Sequence, residues 1–116
     1  MVCILTVRKL KPGSYDDFRK AWEADEWPPS MVKGLILRNQ QDPDEVVGIG
    51  FYEESDDVDP MRKDPARLAS DERRAARMAP FVESVRLSGV FQVVEEFHPE
   101  RENGSRPAGR FNPPDR

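Results

Sequence analysis

The chain has 116 residues, of which 37% are hydrophobic and 34% are charged, and its formal net charge is -4 at pH 7. This length supports one domain and excludes two independent hydrophobic cores. The net negative charge, without a basic stripe interleaved with aromatic residues, excludes the usual signature of a nucleic-acid-binding protein. Because the hydrophobic fraction is modest, the core of one chain should be thin, which favours burial of a second apolar surface against a partner chain.

The first apolar run, residues 2–7, directly follows Met1. It is too short to span a membrane, and it lacks the basic start and the small-residue cleavage site of a signal peptide. The single cysteine, Cys3, has no partner for a disulfide within the chain and no metal-ligand spacing around it. We therefore expect a cytoplasmic protein with neither a membrane partner nor a metal site.

The first third of the chain predicts a strand followed by a helix. Residues 2–7 are rich in β-branched residues and precede the turn signal Lys11-Pro12-Gly13, so they predict the first strand. Tyr15, Phe18 and Trp22 then recur at spacings of three and four, which places them on one face of a helix and in the core. This helix should end before the next two prolines.

Two further apolar runs, residues 32–39 and 45–52, flank a polar stretch that contains Asp42-Pro43-Asp44. Runs so close in sequence predict two antiparallel strands joined as a hairpin. Alternate residues of a strand face opposite sides of the sheet, so the two glycines and the tyrosine of the second run share one side.

The last part of the chain predicts a helix, a strand and an irregular end. Asp64-Pro65 is typical of a helix N-cap followed by proline at the first helical position. The apolar pattern continues to Val85, with a kink or a break at Pro80, and residues 90–97 predict the last strand. Residues 98–116, rich in proline and arginine, should form a flexible C-terminal tail or an arm that lies on a partner.

This order of elements predicts an α+β fold of the ferredoxin-like type, β-α-β-β-α-β, formed by residues 1–97. The right-handed crossover rule for the two helical connections places the four strands in one antiparallel sheet. The strands are apolar on both sides, whereas helices cover only one face of such a sheet. The other face should therefore pair with a second copy of the chain to form a homodimer.

With this order of elements, the chain resembles the antibiotic biosynthesis monooxygenase-like (ABM-like) family of dimeric α/β-barrel proteins over residues 2–97. The resemblance rests on four segments: the strand–Lys-Pro-Gly–helix junction at residues 7–18, the Asp42-Pro43-Asp44 hairpin, residues 51–55 at the end of the third strand, and residues 78–81 near the end of the second helix. These segments are signatures of the fold rather than of a reaction.

The resemblance implies two kinds of chemistry known in this family, namely cofactor-free monooxygenation of phenolic polyketides or quinols, and haem degradation. Haem-degrading members are known for an asparagine on the first strand and a histidine on the second helix. Residues 2–9 contain no asparagine and residues 64–86 contain no histidine, which argues against haem degradation. The tryptophan common on the third strand of the family is Tyr52 in this chain.

Cofactor-free oxygenation requires a substrate that donates an electron to O2 as a phenolate or carbanion, enclosed in an apolar pocket that excludes water. Gly48 and Gly50 leave volume above the side of the sheet that also carries Tyr52. We therefore predict a substrate-binding cavity bounded by Tyr52, Trp22 and Trp27. The alternative is close helix packing, in which Trp22 fills this space as ordinary core.

Three polar residues are weak candidates for catalysis. His98 is the only histidine, the residue type that most often serves as a general base, but its position after the last predicted strand is equally that of an exposed residue. Asn39 and Arg38 end the second predicted strand, and either could orient a phenolic oxygen. Solvated strand-end residues are the alternative for both.

The resemblance, together with the predicted cavity, implies a monooxygenase-like protein that binds a small aromatic compound of the phenol or quinol type and uses O2 without a bound cofactor. The alternative is a non-enzymatic ligand-binding or dimerisation module of the same fold. A buried cavity with a polar group directed into it would favour the enzyme, and a filled core would favour the module.

Overall fold

The structure is a computed structural model that describes residues 1–53, 58–59, 61 and 63–99. Its regular elements follow the predicted order β-α-β-β-α-β. They are β1 (Val2–Leu10), α1 (Tyr15–Trp22), β2 (Met31–Arg38), β3 (Glu45–Tyr52), α2 (Pro65–Met78), a 3₁₀ turn (Ala79–Phe81) and β4 (Val82–Gln92). The predicted α+β, ferredoxin-like fold class is confirmed.

The four strands form one antiparallel sheet, as predicted, and β2 and β3 form the predicted hairpin. The order of the strands in the sheet is β2-β3-β1-β4. Thr6 of β1 lies opposite Gly48 in β3 and opposite Ser88 in β4. Leu10, an even-numbered residue of β1 like Thr6, packs into the core beneath the helices. Even-numbered residues of β1 and their partners therefore share the helix-covered face of the sheet.

The turn between β1 and α1 depends on a backbone conformation that favours glycine. Gly13 has a φ of 72°, in the left-handed region where a β-carbon is disfavoured. The Ser14 N–H closes the turn by donating to the Lys11 carbonyl oxygen at 3.1 Å, and the Lys11 N–H donates to the Phe81 carbonyl oxygen at 3.0 Å. The start of α1 is thereby joined to the connection between α2 and β4.

The hydrophobic core lies between the sheet and the two helices. Its buried side chains come from both layers and are Leu10, Phe18, Ala21, Val46 and Met78. Phe18 is completely buried, while Tyr15 and Trp22 from the same face of α1 are partly buried against this cluster. The core position predicted from the spacing within α1 is confirmed.

α2 begins as the sequence predicts and ends earlier. Asp64 is the N-cap, its carboxylate accepts a hydrogen bond from the backbone N–H three residues later at 2.8 Å, and Pro65 occupies the first helical position. The predicted continuation of the helix to Val85 is wrong, because α2 ends at Met78 and the 3₁₀ turn leads directly into β4 at Val82.

The predicted last strand, residues 90–97, also has the wrong bounds, since β4 begins at Val82 and ends at Gln92. Two irregularities in its pairing with β1 explain the error. Val82 and Val85 are three residues apart, yet they pair with alternate residues of β1. Apolar residues spaced by three are typical of one face of a helix, but in β4 this spacing arises from a β-bulge.

The chain continues past β4 without regular secondary structure as far as residue 99. The Val93 N–H donates to the Met1 carbonyl oxygen at 3.0 Å at the start of this segment. Most of the predicted tail, residues 98–116, lies outside the described residues, so the division after residue 97 stays a prediction. In the described part of the chain, no helix combines the length and the apolar character that a membrane crossing requires.

Candidate functional site

A small cavity lies between the helix-covered face of the sheet and the end of α1. Its volume is about 80 Å³, and its lining includes all five residues that the sequence predicts to bind a substrate. These residues are Trp22, Trp27, Gly48, Gly50 and Tyr52. We call this space the aromatic cavity. The structure brings the five residues together, and the binding of a ligand by them stays a prediction.

The two glycines of β3 allow aromatic rings to lie directly against the sheet. A β-carbon at Gly48 would be 3.2 Å from Trp22 Nε1, and a β-carbon at Gly50 would be 3.2 Å from Tyr52 Cε1. Both distances are shorter than an ordinary van der Waals contact, so a larger residue would have to displace a ring. Trp22 itself therefore occupies part of the space above Gly48, and the aromatic cavity is the remainder.

Two arginine side chains bring positive charge into the aromatic cavity. Arg8 comes from β1 and Arg74 comes from α2. The Cζ of Arg74 lies 5.1 Å from the centroid of the Trp22 ring and 5.4 Å from that of Trp27, and its Nε donates a hydrogen bond to the Trp22 carbonyl oxygen. Cation–π contacts of this kind hold the guanidinium against the aromatic wall.

Burial and mutual repulsion both act on these cations. The pKa of Arg8 is lowered because burial removes water from its guanidinium. The pKa of Arg74 is lowered to about 10, first by burial and second by the positive charge of Arg8, while Tyr52 and Asp71 act in the opposite direction. Both arginines remain protonated at neutral pH, so the aromatic cavity carries two positive charges.

The acidic side chain on the same face of α2 is already engaged. Asp71 precedes Arg74 by three residues and forms an ion pair with Lys63, with Nζ and Oδ2 2.7 Å apart. Arg8 lies against the Phe18 ring, with its Cζ 5.6 Å from the ring centroid. Within the described ranges, neither cavity arginine has a carboxylate at salt-bridge distance. A half-buried cation without an anionic partner loses part of its hydration without compensation, so the aromatic cavity favours an anionic occupant.

Two larger cavities adjoin the aromatic cavity. One, of about 190 Å³, shares Tyr52 and Arg74 with it. The other, of about 370 Å³, shares Trp22 and Met31 with it and lies between the end of α1 and the edge strand β2. Trp27 lines all three, so its ring stands at the point where they meet.

Trp27 lies in the loop between α1 and β2, and two contacts hold it there in addition to that with Arg74. Its Nε1 donates a hydrogen bond to Glu23 Oε2 at 3.1 Å, and its ring centroid lies 5.5 Å from that of Trp22. Arg19 also donates to Glu23, at 3.0 Å, and the hydrogen bonds from Arg19 and Trp27 lower the pKa of this carboxyl. These contacts fix the Trp27 side chain where it lines all three cavities.

Two of the weak catalytic candidates stabilise the β2–β3 hairpin. Arg38 Nε donates to the Pro43 carbonyl oxygen at 2.7 Å, and its guanidinium covers the Tyr15 ring with Cζ 4.2 Å from the centroid. Asn39 Nδ2 donates to Glu45 Oε1 at 2.8 Å. These contacts give both residues a structural role at the end of β2.

The third candidate, His98, lies beyond β4. Its side chain is 82% exposed, and its Nε2 is 3.1 Å from the carboxylate of Glu96. Neither it nor the two hairpin residues are among the described residues that line the aromatic cavity. A catalytic role for any of the three stays an untested prediction.

Sequence reasoning alone misses Arg8 and Arg74, because arginine is usually solvated. A signal nevertheless exists for each. Arg8 lies on the same side of β1 as the buried Leu10, and Arg74 precedes the buried Met78 by four residues, which is about one helical turn. An arginine in register with buried residues, once on a strand and once on a helix, is the pattern that identifies this pair.

Several solved structures share this arrangement of elements. The chain aligns with a protein from Chloroflexus aurantiacus, provisionally named an antibiotic biosynthesis monooxygenase, with a TM-score of 0.64 and 15% identity over 84% of this chain and 96% of that chain. A protein of the same provisional name from Nitrosomonas europaea gives a TM-score of 0.63 and 15% identity over 82% and 100% of the two chains. SnoaB, a cofactor-independent oxygenase from Streptomyces nogalater, aligns with a TM-score of 0.61 and 16% identity over 85% of this chain and 97% of that chain. This chain has the ABM-like fold.

The fold that the family resemblance implies is thereby confirmed. Identities this low establish a shared fold and not a shared reaction, because one fold supports many activities. Neither a protein-family model nor a curated protein matches the sequence. Within this ABM-like fold, the aromatic cavity and its two arginines are the features of this chain that bear on its chemistry.

Proposed function

We propose that the chain binds a small aromatic compound in the aromatic cavity and oxygenates it with O2, without a bound cofactor. The observation that carries the proposal is the placement of two half-buried guanidiniums, those of Arg8 and Arg74, against aromatic walls from Trp22, Trp27 and Tyr52. Aromatic walls suit a flat apolar ring, and the cations suit an anionic oxygen on that ring. The shared fold with a cofactor-independent oxygenase supports the same chemistry by analogy.

The arginines act on the substrate before O2 does. A phenol bound beside Arg74 loses its proton more readily, because a neighbouring positive charge stabilises the phenolate and lowers the pKa of the phenol. The substrate then ionises to solvent as it binds, and no dedicated general base is needed. The same cations stabilise the negative charge that later develops on the oxygen adduct.

The ionised substrate supplies the electrons for the reaction. It transfers one electron to O2, and the resulting phenoxyl radical and superoxide combine to form a carbon–oxygen bond at a ring carbon. The peroxide takes up a proton, and its O–O bond breaks as water leaves with the hydrogen of that carbon. One oxygen atom of O2 stays in the product as a carbonyl and the other is released as water, so that a phenol becomes a quinone.

A non-enzymatic ligand-binding or dimerisation module is the second candidate. It is favoured by the small volume of the aromatic cavity, about 80 Å³, because typical small-molecule sites have volumes of about 300–1,000 Å³. It is also favoured by the Trp22 ring, which fills much of the space above Gly48. Binding of aromatic compounds without consumption of O2 would identify this second candidate.

The two tryptophans provide a direct test, because Trp22 and Trp27 are the only ones in the chain and both line the aromatic cavity. We expect hydroxynaphthoquinones and naphthols to quench tryptophan fluorescence to saturation under anaerobic conditions. With O2 present, the oxidisable naphthols should be converted with one O2 consumed per product, as measured with an oxygen electrode. The Trp22→Ala variant should bind these compounds about tenfold more weakly by calorimetry, because one stacking wall is lost.

Equal affinity in a folded Trp22→Ala variant would remove the reason for placing the site in the aromatic cavity. In that case Trp22 belongs to the hydrophobic core, and its replacement by alanine should lower the free energy of unfolding by about 3–5 kcal/mol without changing ligand affinity.

The proposal includes a homodimer formed through the open face of the sheet, the face away from the helices. Apolar side chains on this face are partly exposed on both edge strands, with exposed fractions of 40% for Leu35, 46% for Leu37, 49% for Leu87 and 44% for Phe91. A soluble monomer rarely leaves an apolar face of this extent in water. Pairing two copies face to face covers it and gives an isologous two-fold interface.

Sedimentation equilibrium at micromolar concentration should give a mass about twice that of the 13.3 kDa chain. We expect the interface between the two copies to bury more than about 1,200 Å² in total. The Leu87→Glu variant should shift the equilibrium to the monomer, because it places a charge on the apolar face that the two copies share. Met61→Glu is the matched control, since Met61 is 91% exposed and lies outside the sheet. A wild-type mass of one chain would contradict the dimer.

A further inference from the structure

The charge around the aromatic cavity is opposite in sign to that of the whole chain. The chain has a net charge of -4. Among the described residues, the aromatic cavity and the adjoining 190 Å³ cavity are nevertheless lined by four cations and a single carboxylate. The cations are Arg8, Lys63, Arg67 and Arg74, and the carboxylate is that of Asp71. A positive cleft in an acidic protein concentrates anions at that place.

A single anionic oxygen does not balance this charge. Arg8 and Arg74 come from different layers, yet both line the aromatic cavity, and the charge of Arg8 lowers the pKa of Arg74. Asp71 is ion-paired with Lys63. A phenolate beside Arg74 therefore compensates one guanidinium, and the second remains a desolvated cation with a like charge nearby.

We propose that the natural ligand is an aromatic compound with two anionic groups, a phenolate or enolate beside Arg74 and a carboxylate beside Arg8. This inference rests on the proposed function, because it concerns the ligand of the same cavity. A carboxylate suits Arg8, since the planar guanidinium binds both of its oxygens through parallel N–H···O bonds. Arg8 is then the residue that determines specificity, and Arg74 is the residue that faces the reacting oxygen.

The surroundings of Arg8 offer the carboxylate a second donor. Thr6 precedes Arg8 by two residues on the same face of β1 and also lines the aromatic cavity. Its Oγ1 lies 3.2 Å from Ser88 Oγ, and either hydroxyl can be the donor of this pair. The Thr6 hydroxyl can therefore accept from Ser88 and donate to a carboxylate at the same time. The sheet thus presents a guanidinium and a hydroxyl to one end of the ligand, while α2 presents Arg74 to the other.

The test compares a naphthol with two hydroxynaphthoic acids derived from it, one with the carboxylate next to the hydroxyl and one with it on the far ring. Calorimetric titration of the full chain under anaerobic conditions measures the three affinities. We expect at least one acid to bind about ten- to 100-fold more tightly than the naphthol, as for a hydrogen bond to a charged group. Equal or weaker binding of both acids would overturn the inference, and saturable binding of the naphthol would still leave the proposed function standing.

Variants of Arg8 show whether this residue holds the carboxylate. Arg8→Gln should remove most of the preference for the acid, while it weakens naphthol binding by about threefold at most through loss of a nearby charge. Arg8→Lys, which keeps the charge without the planar fork, should restore part of the preference. Arg73→Gln, a matched change on the exposed side of α2 and outside the aromatic cavity, should alter neither affinity. An Arg8→Gln protein that is folded by circular dichroism and keeps the full preference would overturn the inference.

Inorganic phosphate is the probe for recognition of charge alone. It should displace the hydroxynaphthoic acids only weakly, because it has no ring to stack on the tryptophans. Displacement at concentrations comparable to those of the acids would overturn the inference, since the arginines would then recognise charge rather than an aromatic acid. If none of the naphthalene compounds binds, the proposed function and this inference both fail.

Discussion

Arg74→Gln should reduce the affinity for hydroxynaphthoquinone anions by about 30-fold or more, because truncation of one partner of a buried charge pair costs about 2–5 kcal/mol. Arg74 is the cation that lies over both Trp22 and Trp27, so an anionic oxygen on a ring stacked there is within its reach. Calorimetric titration is the measurement, and Arg73→Gln is the matched control because Arg73 is exposed on α2 and lies outside the aromatic cavity. Unchanged affinity in the Arg74 variant would contradict the placement of the anion.

The pH dependence of binding gives a second readout of Arg74. Its pKa in the free protein is about 10, chiefly because of burial, and a bound anion raises that pKa. Below this value Arg74 is charged, so the affinity for a ligand that is already ionised at neutral pH should stay constant as the pH rises from neutral. Above it the free protein loses the Arg74 proton, and the affinity should fall. Affinity that persists unchanged well above this pKa would contradict the role of Arg74.

Loss of binding in the Arg74→Gln variant must be separated from unfolding. The variant loses two cation–π contacts and the hydrogen bond to the Trp22 carbonyl oxygen, which destabilises the fold. It also removes a charge from a desolvated position near Arg8, which stabilises the fold. Because these effects oppose each other, we expect the far-ultraviolet circular dichroism of the variant to match that of the wild type.

Phe18→Ala should lower the free energy of unfolding by about 3–5 kcal/mol. Phe18 is completely buried and lies in the same cluster as Leu10, Val46 and Met78, so it joins α1 to the sheet and to α2. Alanine would leave a cavity between α1 and the sheet. A domain of this size has a total stability of about 5–15 kcal/mol, so the variant should lose a large part of it. Urea unfolding followed by tryptophan fluorescence, at one fixed chain concentration, is the measurement.

Met61→Ala is the control for this experiment, because it also truncates a large apolar side chain but at a position that is 91% exposed. Its free energy of unfolding should stay within about 0.5 kcal/mol of the wild type. A similarly small effect of Phe18→Ala would show that the core does not lie between α1 and the sheet.

The order of the elements could be predicted because most of their signals are local. The turn at Lys11-Pro12-Gly13, the spacing of aromatic residues in α1 and the cap at Asp64-Pro65 each depend on neighbours along the chain, and each lies where the sequence places it. The extent of β4 could not be predicted in this way. Its bulges exist only in the pairing with β1, and they convert the alternation of a strand into the spacing of a helix.

Part of the candidate site was also accessible from the sequence. Gly48, Gly50 and Tyr52 share one side of β3 by the alternation of a strand, and Trp22 lies on the core face of α1 by the period of a helix. Two elements that pack on each other bring such residues together, so the aromatic walls of the cavity follow from periodicity. The hairpin contacts of Arg38 and Asn39 do not follow from periodicity, because they depend on side-chain geometry within the turn.

The sequence by itself determined the ferredoxin-like fold, the apolar character of both faces of the sheet and the aromatic lining of the cavity. Only the tertiary structure decided that Arg8 and Arg74 line the same cavity and that Asp71, on the same face of α2, forms an ion pair with Lys63. The physical reason is that secondary structure depends mainly on neighbours along the chain, whereas the charge of a cavity depends on how distant elements pack. The packing of α2 over the sheet brings the two cations together where water is partly excluded, whereas the local pattern in each element shows only that its arginine is in register with buried residues.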